Sequence, residues 1–207
     1  YRAIDTGFST NLVVHAFAHT ARLAGFGREL VEPFFTSMRM DLHPRQYDQA
    51  SFETYVYGSA EVVGLMCLQV YLLGHSFSAQ QQADFVESAR ALGSAFQKVN
   101  FLRDLAADSK ALGRSYFPDV DLANFTEEDK GRLVADIDNE LEVSSRGLVA
   151  LPKSSRRAVA AAQFLYEALN RELANTPASK LVTTRVRVNN AKKLLIIDDD
   201  PRLRELL

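Results

Sequence analysis

The sequence has little cysteine, no excess of positive charge and no long apolar run. Its one cysteine, Cys67, cannot form an internal disulfide and suits a reducing compartment. The 24 basic and 26 acidic residues give a formal net charge of −2, without the positive excess that nucleic-acid binding favours. The most apolar run, Val62 to Leu73, is interrupted by Gln69 and is shorter than the roughly 18 residues of a spanning helix. These absences predict a cytoplasmic protein with no nucleic-acid partner.

Strand signals are absent as well, because no alternation of apolar and polar residues is long enough to predict a sheet. Helix signals recur instead, and Ser78-Ala79-Gln80-Gln81 and Thr126-Glu127-Glu128-Asp129 are typical helix beginnings. We therefore predict a single all-α domain over residues 1–207, with a tail after about residue 195. The predicted helices are 9–24, 33–41 (beginning at Pro33), 51–74 (capped by Ser51), 78–110, 126–151, 154–175 and 178–193.

One face of the helix predicted at 78–110 changes from apolar to acidic. Gln97, Asn100, Asp104 and Asp108 are three and four residues apart, so they share that face. Two carboxylates at this spacing repel by about 0.2 to 0.5 kcal/mol, so losing one charge is expected to stabilise the ion-free helix. Oxygen ligands of this kind favour Mg²⁺ held together with a substrate diphosphate. The alternative is a solvated helix face, with Arg103 among its surface charges.

Two segments carry a resemblance to a known family. Residues 93–104, continuing through 113–118, are similar to the second aspartate-rich signature of the squalene and phytoene synthases. Residues 55–64 resemble that family's other signature, and Gly58-Ser59-Ala60-Glu61 looks most like bacterial phytoene synthases. The resemblance implies an isoprenoid synthase fold (class I terpenoid synthase), a helical bundle around a central cavity. The family's first aspartate-rich helix would lie upstream of Tyr1, so an N-terminally truncated chain is expected.

The resemblance also implies a prenyltransferase activity. The expected reaction is the head-to-head condensation of two geranylgeranyl diphosphates to phytoene, with release of diphosphate, in carotenoid biosynthesis. A squalene-type or dehydrosqualene-type synthase that uses farnesyl diphosphate is the alternative enzyme. A non-catalytic relative that acts as a binding or assembly protein is the alternative of another class.

The roles of individual residues follow from the same resemblance. Tyr55, Asp104 and Asp108 would be catalytic, and Asp104, Asp108 and Asn100 would hold Mg²⁺, with Mn²⁺ as an alternative. The expected partners are isoprenoid diphosphates; peripheral membrane association for product release and the oligomeric state are left open. Contacts to substrate would come from Gln97, Asn100, Arg103, Arg114, Tyr116, Tyr166 and Arg185 at the polar end, and from Ser59, Ala60, Val63, Gly64, Ala89 and Leu92 along the isoprenoid tunnel.

Overall fold

Helices account for all the regular structure of the described residues, as the sequence predicts. The computed structural model describes residues 1–43, 46–112, 116–188 and 200–205, and within these ranges it contains no β-strand. None of the helices described there is both long and apolar enough to cross a lipid bilayer. The helices are α1 (Arg2–Thr6), α2 (Leu12–Ala24), α3 (Arg28–Met40), α4 (Gln49–Val56), α5 (Val62–Tyr71), α6 (Ala79–Leu112), α7 (Glu127–Leu148), α8 (Lys153–Asn175), α9 (Ala178–Leu181) and α10 (Pro201–Glu205), with a π-helical segment at Tyr57–Glu61 and a 3-10 turn at Leu122–Asn124.

The longest helix, α6, is the element against which the others pack. Its 34 residues span about 51 Å at 1.5 Å per residue. It begins with the predicted capping box: the Ser78 hydroxyl accepts from the Gln81 N–H, and the Gln81 side chain accepts from the Ser78 N–H. Helices α5, α7 and α8 and the π-helical segment all contact it. A single long helix therefore carries residues from one end of the bundle to the other.

Glycines allow α5 and the π-helical segment to approach α6 closely. A Cβ added to Gly64 would lie 2.6 Å from the Ala89 carbonyl oxygen, and one added to Gly93 would lie 2.7 Å from the Ala60 carbonyl oxygen. Both neighbours are backbone atoms, so only glycine fits without a shift of a helix. Since residue 64 meets 89 while residue 60 meets 93, the two segments run antiparallel.

The described residues form three hydrophobic clusters: a main one, a smaller one at the other end of α6, and one that joins α2 and α3 to Val62 of α5. The main cluster joins α4, α6, α7, α8 and α9, and its innermost side chains include Val99, Leu102, Ile137, Leu173 and Leu181. The smaller cluster gathers around the start of α6 and comprises Leu68, Phe85, Leu148, Leu151, Ala160, Phe164 and Leu203. Leu203 is buried in this cluster, although it belongs to the tail that was predicted after about residue 195.

Two predicted helix beginnings were wrong. Helix α3 begins directly after Gly27, so Pro33 lies inside it rather than in its first turn. Helix α4 is capped by Asp48, whose carboxylate accepts from the N–H and the hydroxyl of Ser51. Ser51 therefore donates to the cap instead of forming it.

Two further predictions of helix length were wrong. The helix predicted at 51–74 is divided by the π-helical segment. The helix predicted at 178–193 ends at Leu181, and residues 182–188 are not helical. The segment Val182-Thr183-Thr184-Arg185-Val186-Arg187-Val188 is rich in β-branched residues, which lose side-chain freedom in a helix. Residues 189–193 lie outside the described residues.

Candidate active site

A cavity of about 410 Å³ lies between α5, α6, α7, α8 and the π-helical segment. Its position follows from the helix packing, because small side chains on α5, α6 and α8 leave space between helices of a closely packed bundle. Nine of the residues singled out from the sequence line it: Ser59, Ala60, Val63, Gly64, Ala89, Leu92, Gln97, Asn100 and Tyr166.

The cavity is polar at one end and apolar at the other. At the polar end the Tyr166 hydroxyl donates to the Asn100 side-chain oxygen over 3.4 Å. The Phe96 ring stacks on the Tyr166 ring with centroids 3.8 Å apart. At the apolar end the lining comes from Leu68, Phe85 and neighbouring side chains. Residues 85 and 100 are 15 positions apart on α6, so the levels of these two lining residues are about 22 Å apart along the helix at 1.5 Å per residue.

The π-helical segment brings Ser59 and Ala60 to the cavity wall. The wider turn is a single insertion between two α-helices, a distortion often found at functional sites. The Ser59 hydroxyl oxygen is buried and has no hydrogen-bond partner among the described residues. An unpaired buried hydroxyl costs about 1 to 3 kcal/mol, which a bound polar group or water would recover.

Several polar residues of the wall were not predicted from the sequence, among them Ser88, Ser144 and Gln163. Gln163 is the most buried of these. Its side chain is fully buried and its amide donates to the Leu141 carbonyl and to the Ser145 hydroxyl, over 3.1 and 2.6 Å. Its amide oxygen accepts from the Ser144 hydroxyl. The only signal was a glutamine on the apolar stripe of α8, three positions before Tyr166. Because its polar atoms are paired with protein, Gln163 ties α8 to α7 beside the cavity.

An ionic cluster lies one helical turn beyond Asn100. The Asp104 carboxylate is 2.5 Å from the Arg103 guanidinium and 2.5 Å from Nε of Arg185. The side chains of Asp104 and Arg103 are 21% and 22% exposed, so the cluster is partly shielded from water. Arg185 comes from the segment after α9, 81 positions along the chain. The structure thus brings together three of the predicted site residues.

Tyr55 and Tyr116 lie elsewhere, in an aromatic cluster that does not line the cavity. Tyr116 stacks on Phe101 with centroids 4.0 Å apart, and the Tyr55 ring is 5.6 Å from that of Tyr116. The Tyr55 hydroxyl donates to both Asp41 carboxylate oxygens, over 3.0 and 3.2 Å. Burial, with Tyr116 and the Asp41 carboxylate beside it, raises the pKa of Tyr55. Its phenol therefore stays protonated in the folded protein at neutral pH.

The remaining predicted residues are Asp108 and Arg114. The backbone of Asp108 belongs to α6, one turn after Asp104, but its side chain lies outside the described residues, as does Arg114 entirely. No cluster of three or more His, Cys, Asp and Glu side chains occurs in the described part of the chain. The donors present on this face, the Asn100 amide oxygen and the Asp104 carboxylate, are of the hard oxygen type that Mg²⁺ prefers. They fit an ion that completes its shell with substrate phosphates and water.

The comparison with known families decides the classification. The squalene/phytoene synthase family model matches residues 2–192. The chain belongs to the squalene/phytoene synthase family. Two solved structures of squalene-type synthases share its fold. A squalene synthase from Alicyclobacillus acidocaldarius has a TM-score of 0.70 at 20% identity over 85% of this chain and 71% of its own. A dehydrosqualene synthase in complex with ligand has a TM-score of 0.75 at 21% identity over 99% of this chain and 74% of its own.

Curated relatives within the squalene/phytoene synthase family carry phytoene synthase names. Phytoene synthase 2 of Oryza sativa subsp. japonica, a chloroplastic protein, is 32% identical over 187 residues, which cover 80% of this chain and 46% of the relative. The 15-cis-phytoene synthase of Enterobacter agglomerans is 30% identical over 203 residues, which cover 90% and 60%. The chain thus spans about half the length of the curated relatives it matches.

Proposed function

We propose that the protein is a phytoene synthase, which condenses two geranylgeranyl diphosphates head to head and releases diphosphate. The observation that carries the proposal is the two-ended cavity, apolar around Phe85 and polar around Asn100, with the ionic cluster of Asp104 one turn further along α6. An amphipathic substrate with a long hydrocarbon chain and an anionic head has this same division. Family membership supplies the reaction class.

The length of the cavity favours a 20-carbon substrate. A geranylgeranyl group has 16 carbons in line and spans about 19 Å when extended, if each C–C bond of about 1.5 Å advances it by roughly 1.25 Å. A farnesyl group, with 12 carbons in line, spans only about 14 Å on the same basis. The distance of about 22 Å between the levels of Phe85 and Asn100 accommodates the longer chain and leaves a farnesyl chain short of the apolar end.

The polar end would bind the diphosphate. Asp104 and Asn100, with Asp108, would hold Mg²⁺, and the ion would act there as a Lewis acid on the departing diphosphate. Arg103 and Arg185 present planar guanidinium groups, which suit bidentate contacts with phosphate oxygens. In the ligand-free chain these groups neutralise Asp104. On binding, Asp104 would therefore pair with the ion instead of the two arginines, and the arginines would pair with the diphosphate.

The apolar wall and the aromatic pair would protect the allylic cation. Water would trap such a cation, and the wall formed by residues such as Val63 and Leu92 excludes it. The stacked rings of Phe96 and Tyr166 lie between the polar and the apolar end, where a ring face can stabilise positive charge. Tyr55 stays part of the proposal as the residue associated with proton removal, a role that requires the cation to reach the aromatic cluster beside the cavity. Its phenol would pass its own proton to Asp41, to which it is hydrogen-bonded, as it takes one from the cation.

Product analysis tests the proposal directly. The protein is incubated with geranylgeranyl or farnesyl diphosphate and Mg²⁺, and the expected result is phytoene from the first. A product from farnesyl diphosphate alone would replace the proposal by a squalene-type or dehydrosqualene-type synthase. Tight binding without turnover of either would indicate a binding protein, and no binding would refute the proposal.

A pair of variants links the result to this cavity. Ala89→Phe places a large ring in the lumen beside Gly64 and should abolish binding of the isoprenoid chain. Ala135→Phe makes the same change at an exposed position of α7 and should leave binding unchanged. Equal effects of the two substitutions would mean that the substrate binds elsewhere.

A further inference from the structure

The short C-terminal helix α10 packs against α8 and adds a side chain to the hydrophobic cluster at the apolar end of the cavity. It lies beyond residues 2–192, the part of the chain that the family match covers. Leu203 is only 3% exposed and belongs to the same cluster as Leu68, Phe85, Leu148 and Leu151. All four of these partners line the cavity. Leu203 itself does not line the cavity, so it forms a second layer behind the wall.

Arg202 anchors this helix to α8. Its guanidinium is 2.7 Å from a Glu167 carboxylate oxygen and 3.0 Å from Asp200. Its Cζ lies 3.7 Å from the centroid of the Phe164 ring, a cation–π contact. The Asp200 side chain also accepts from the Arg202 backbone N–H, which fixes the start of α10. These contacts hold the next residue, Leu203, against the wall.

We propose that Leu203 is a positioning residue that sets the depth of the cavity, and hence the longest isoprenoid chain the protein accepts. The inference rests on the proposed function, because it concerns the substrate length of the same site. Leu203 would act through the cluster that it shares with Phe85 and Leu151, because a filled cluster leaves the side chains of the wall little room to move outward. Closely packed interiors transmit such support because they contain few voids.

The depth of the cavity determines the longest isoprenoid chain that fits. A geranylfarnesyl chain, with 20 carbons in line, spans about 24 Å by the same bond geometry and exceeds the distance of about 22 Å between the levels of Phe85 and Asn100. Leu203→Ala removes three carbons behind the wall and gives Phe85 and Leu151 room to move outward. Since each newly buried methylene raises affinity about fourfold, we expect the 25-carbon ligand to gain about four- to tenfold relative to the 10-carbon ligand.

The test uses isoprenoid alcohols of 10, 15, 20 and 25 carbons, which lack the diphosphate and so report on the apolar part alone. Their dissociation constants are measured for the full chain and for Leu203→Ala, and each is divided by the value of that protein for the 10-carbon alcohol. Leu181→Ala is the matched control, because Leu181 is equally buried but lies in the main core cluster. Arg202→Ala is a second variant with less risk to folding, since its side chain is 45% exposed.

A relative gain for the 25-carbon alcohol in Leu203→Ala or Arg202→Ala, but not in Leu181→Ala, supports the inference. The same length profile in all four proteins overturns it, as does a wild type that binds none of the alcohols. The proposed function fails separately, if the alcohols bind with the expected profile but the diphosphates bind no better and give no product. In that case α10 still limits the cavity of a protein that binds uncharged isoprenoids.

Discussion

Asp104→Asn should destabilise the ligand-free protein, because the carboxylate is the common partner of two guanidinium groups. From the sequence alone, relief of helix repulsion predicts a small gain of about 0.2 to 0.5 kcal/mol. In the structure Arg103 and Arg185 each lie 2.5 Å from the carboxylate, and the amide would remove the negative charge that Asp104 presents to both of them. The sign of the expected change is therefore reversed.

The magnitude follows from the burial of the cluster. Exposed ion pairs contribute about 0.2 to 1 kcal/mol, and breaking a buried pair costs about 3 to 5 kcal/mol. With Asp104 21% exposed but Arg185 47% exposed, an intermediate loss of about 1 to 2 kcal/mol is expected. At about 2 to 4 °C per kcal/mol for a chain of this size, Tm should fall by roughly 2 to 8 °C. The difference should shrink in high salt.

Thermal melts with and without Mg²⁺ and a diphosphate analogue separate stability from binding. In Asp104→Asn the ligand-induced rise in Tm should shrink, and turnover should fall at least about 10²-fold, because metal-assisted charge stabilisation is worth several kcal/mol. Glu61→Gln is the control, since it breaks the 2.6 Å pair with Arg90 at a carboxylate that is 15% exposed. It should lower Tm but leave the response to ligand intact.

Two outcomes would refute this reasoning. If Asp104→Asn melts at or above the wild type, the pairs with Arg103 and Arg185 contribute nothing, and repulsion along the helix dominates. If it melts lower but turns over normally, Asp104 is only a structural partner of the two arginines, and the proposed metal site is wrong.

Two further substitutions test the packing and the aromatic cluster. Gly64→Ala should lower the free energy of unfolding, measured with denaturant, by about 1 to 3 kcal/mol, because the new Cβ would lie 2.6 Å from the Ala89 carbonyl oxygen. Gly131→Ala, where nothing lies within 4 Å of the new Cβ, should raise it by about 0.5 to 1 kcal/mol. Equal effects of the two substitutions would contradict the close approach of α5 to α6. The raised pKa of Tyr55 means that its contribution to stability is complete below its ordinary pKa of 10.0 and is lost as pH rises further. Unfolding free energy measured from pH 8 to 12 should therefore fall less steeply in Tyr55→Phe, and parallel curves would show that Tyr55 has an ordinary pKa in the folded protein.

Local signals predicted the helical fold well, because they depend on residues close in sequence. The capping boxes at Ser78 and Thr126 form as predicted, with Gln81 and Asp129 in the reciprocal positions. The beginning of α3 was misplaced at Pro33, because a proline is typical of a first helical turn. The helix in fact begins after Gly27, which has no side chain to cap it and so gives a weaker signal.

Spacing alone predicted the site only where its residues share one helix, whereas lining residues on other elements, such as Ser59 and Tyr166, were expected only from the family resemblance. The spacing along α6 placed Gln97 and Asn100 on one face, and both line the cavity. No local pattern could join Arg185 to Asp104, because that contact depends on how the segment after α9 returns to α6. The predicted C-terminal tail failed at Leu203 for the same reason, since its burial depends on partners in distant helices.

The π-helical segment at Tyr57–Glu61 has a consequence for how relatives are aligned with this chain. A π turn amounts to one extra residue in an α-helix, and each residue turns the helix by about 100°. Because the wider turn absorbs the extra residue locally, a homologue with one residue fewer would continue as a regular α-helix, with the flanking residues on the same faces as here. An alignment with such a homologue that omits the one-residue gap between Phe52 and Gly64 would therefore be out of register by about 100° on one side of it, and would equate side chains that face the lumen with side chains that do not.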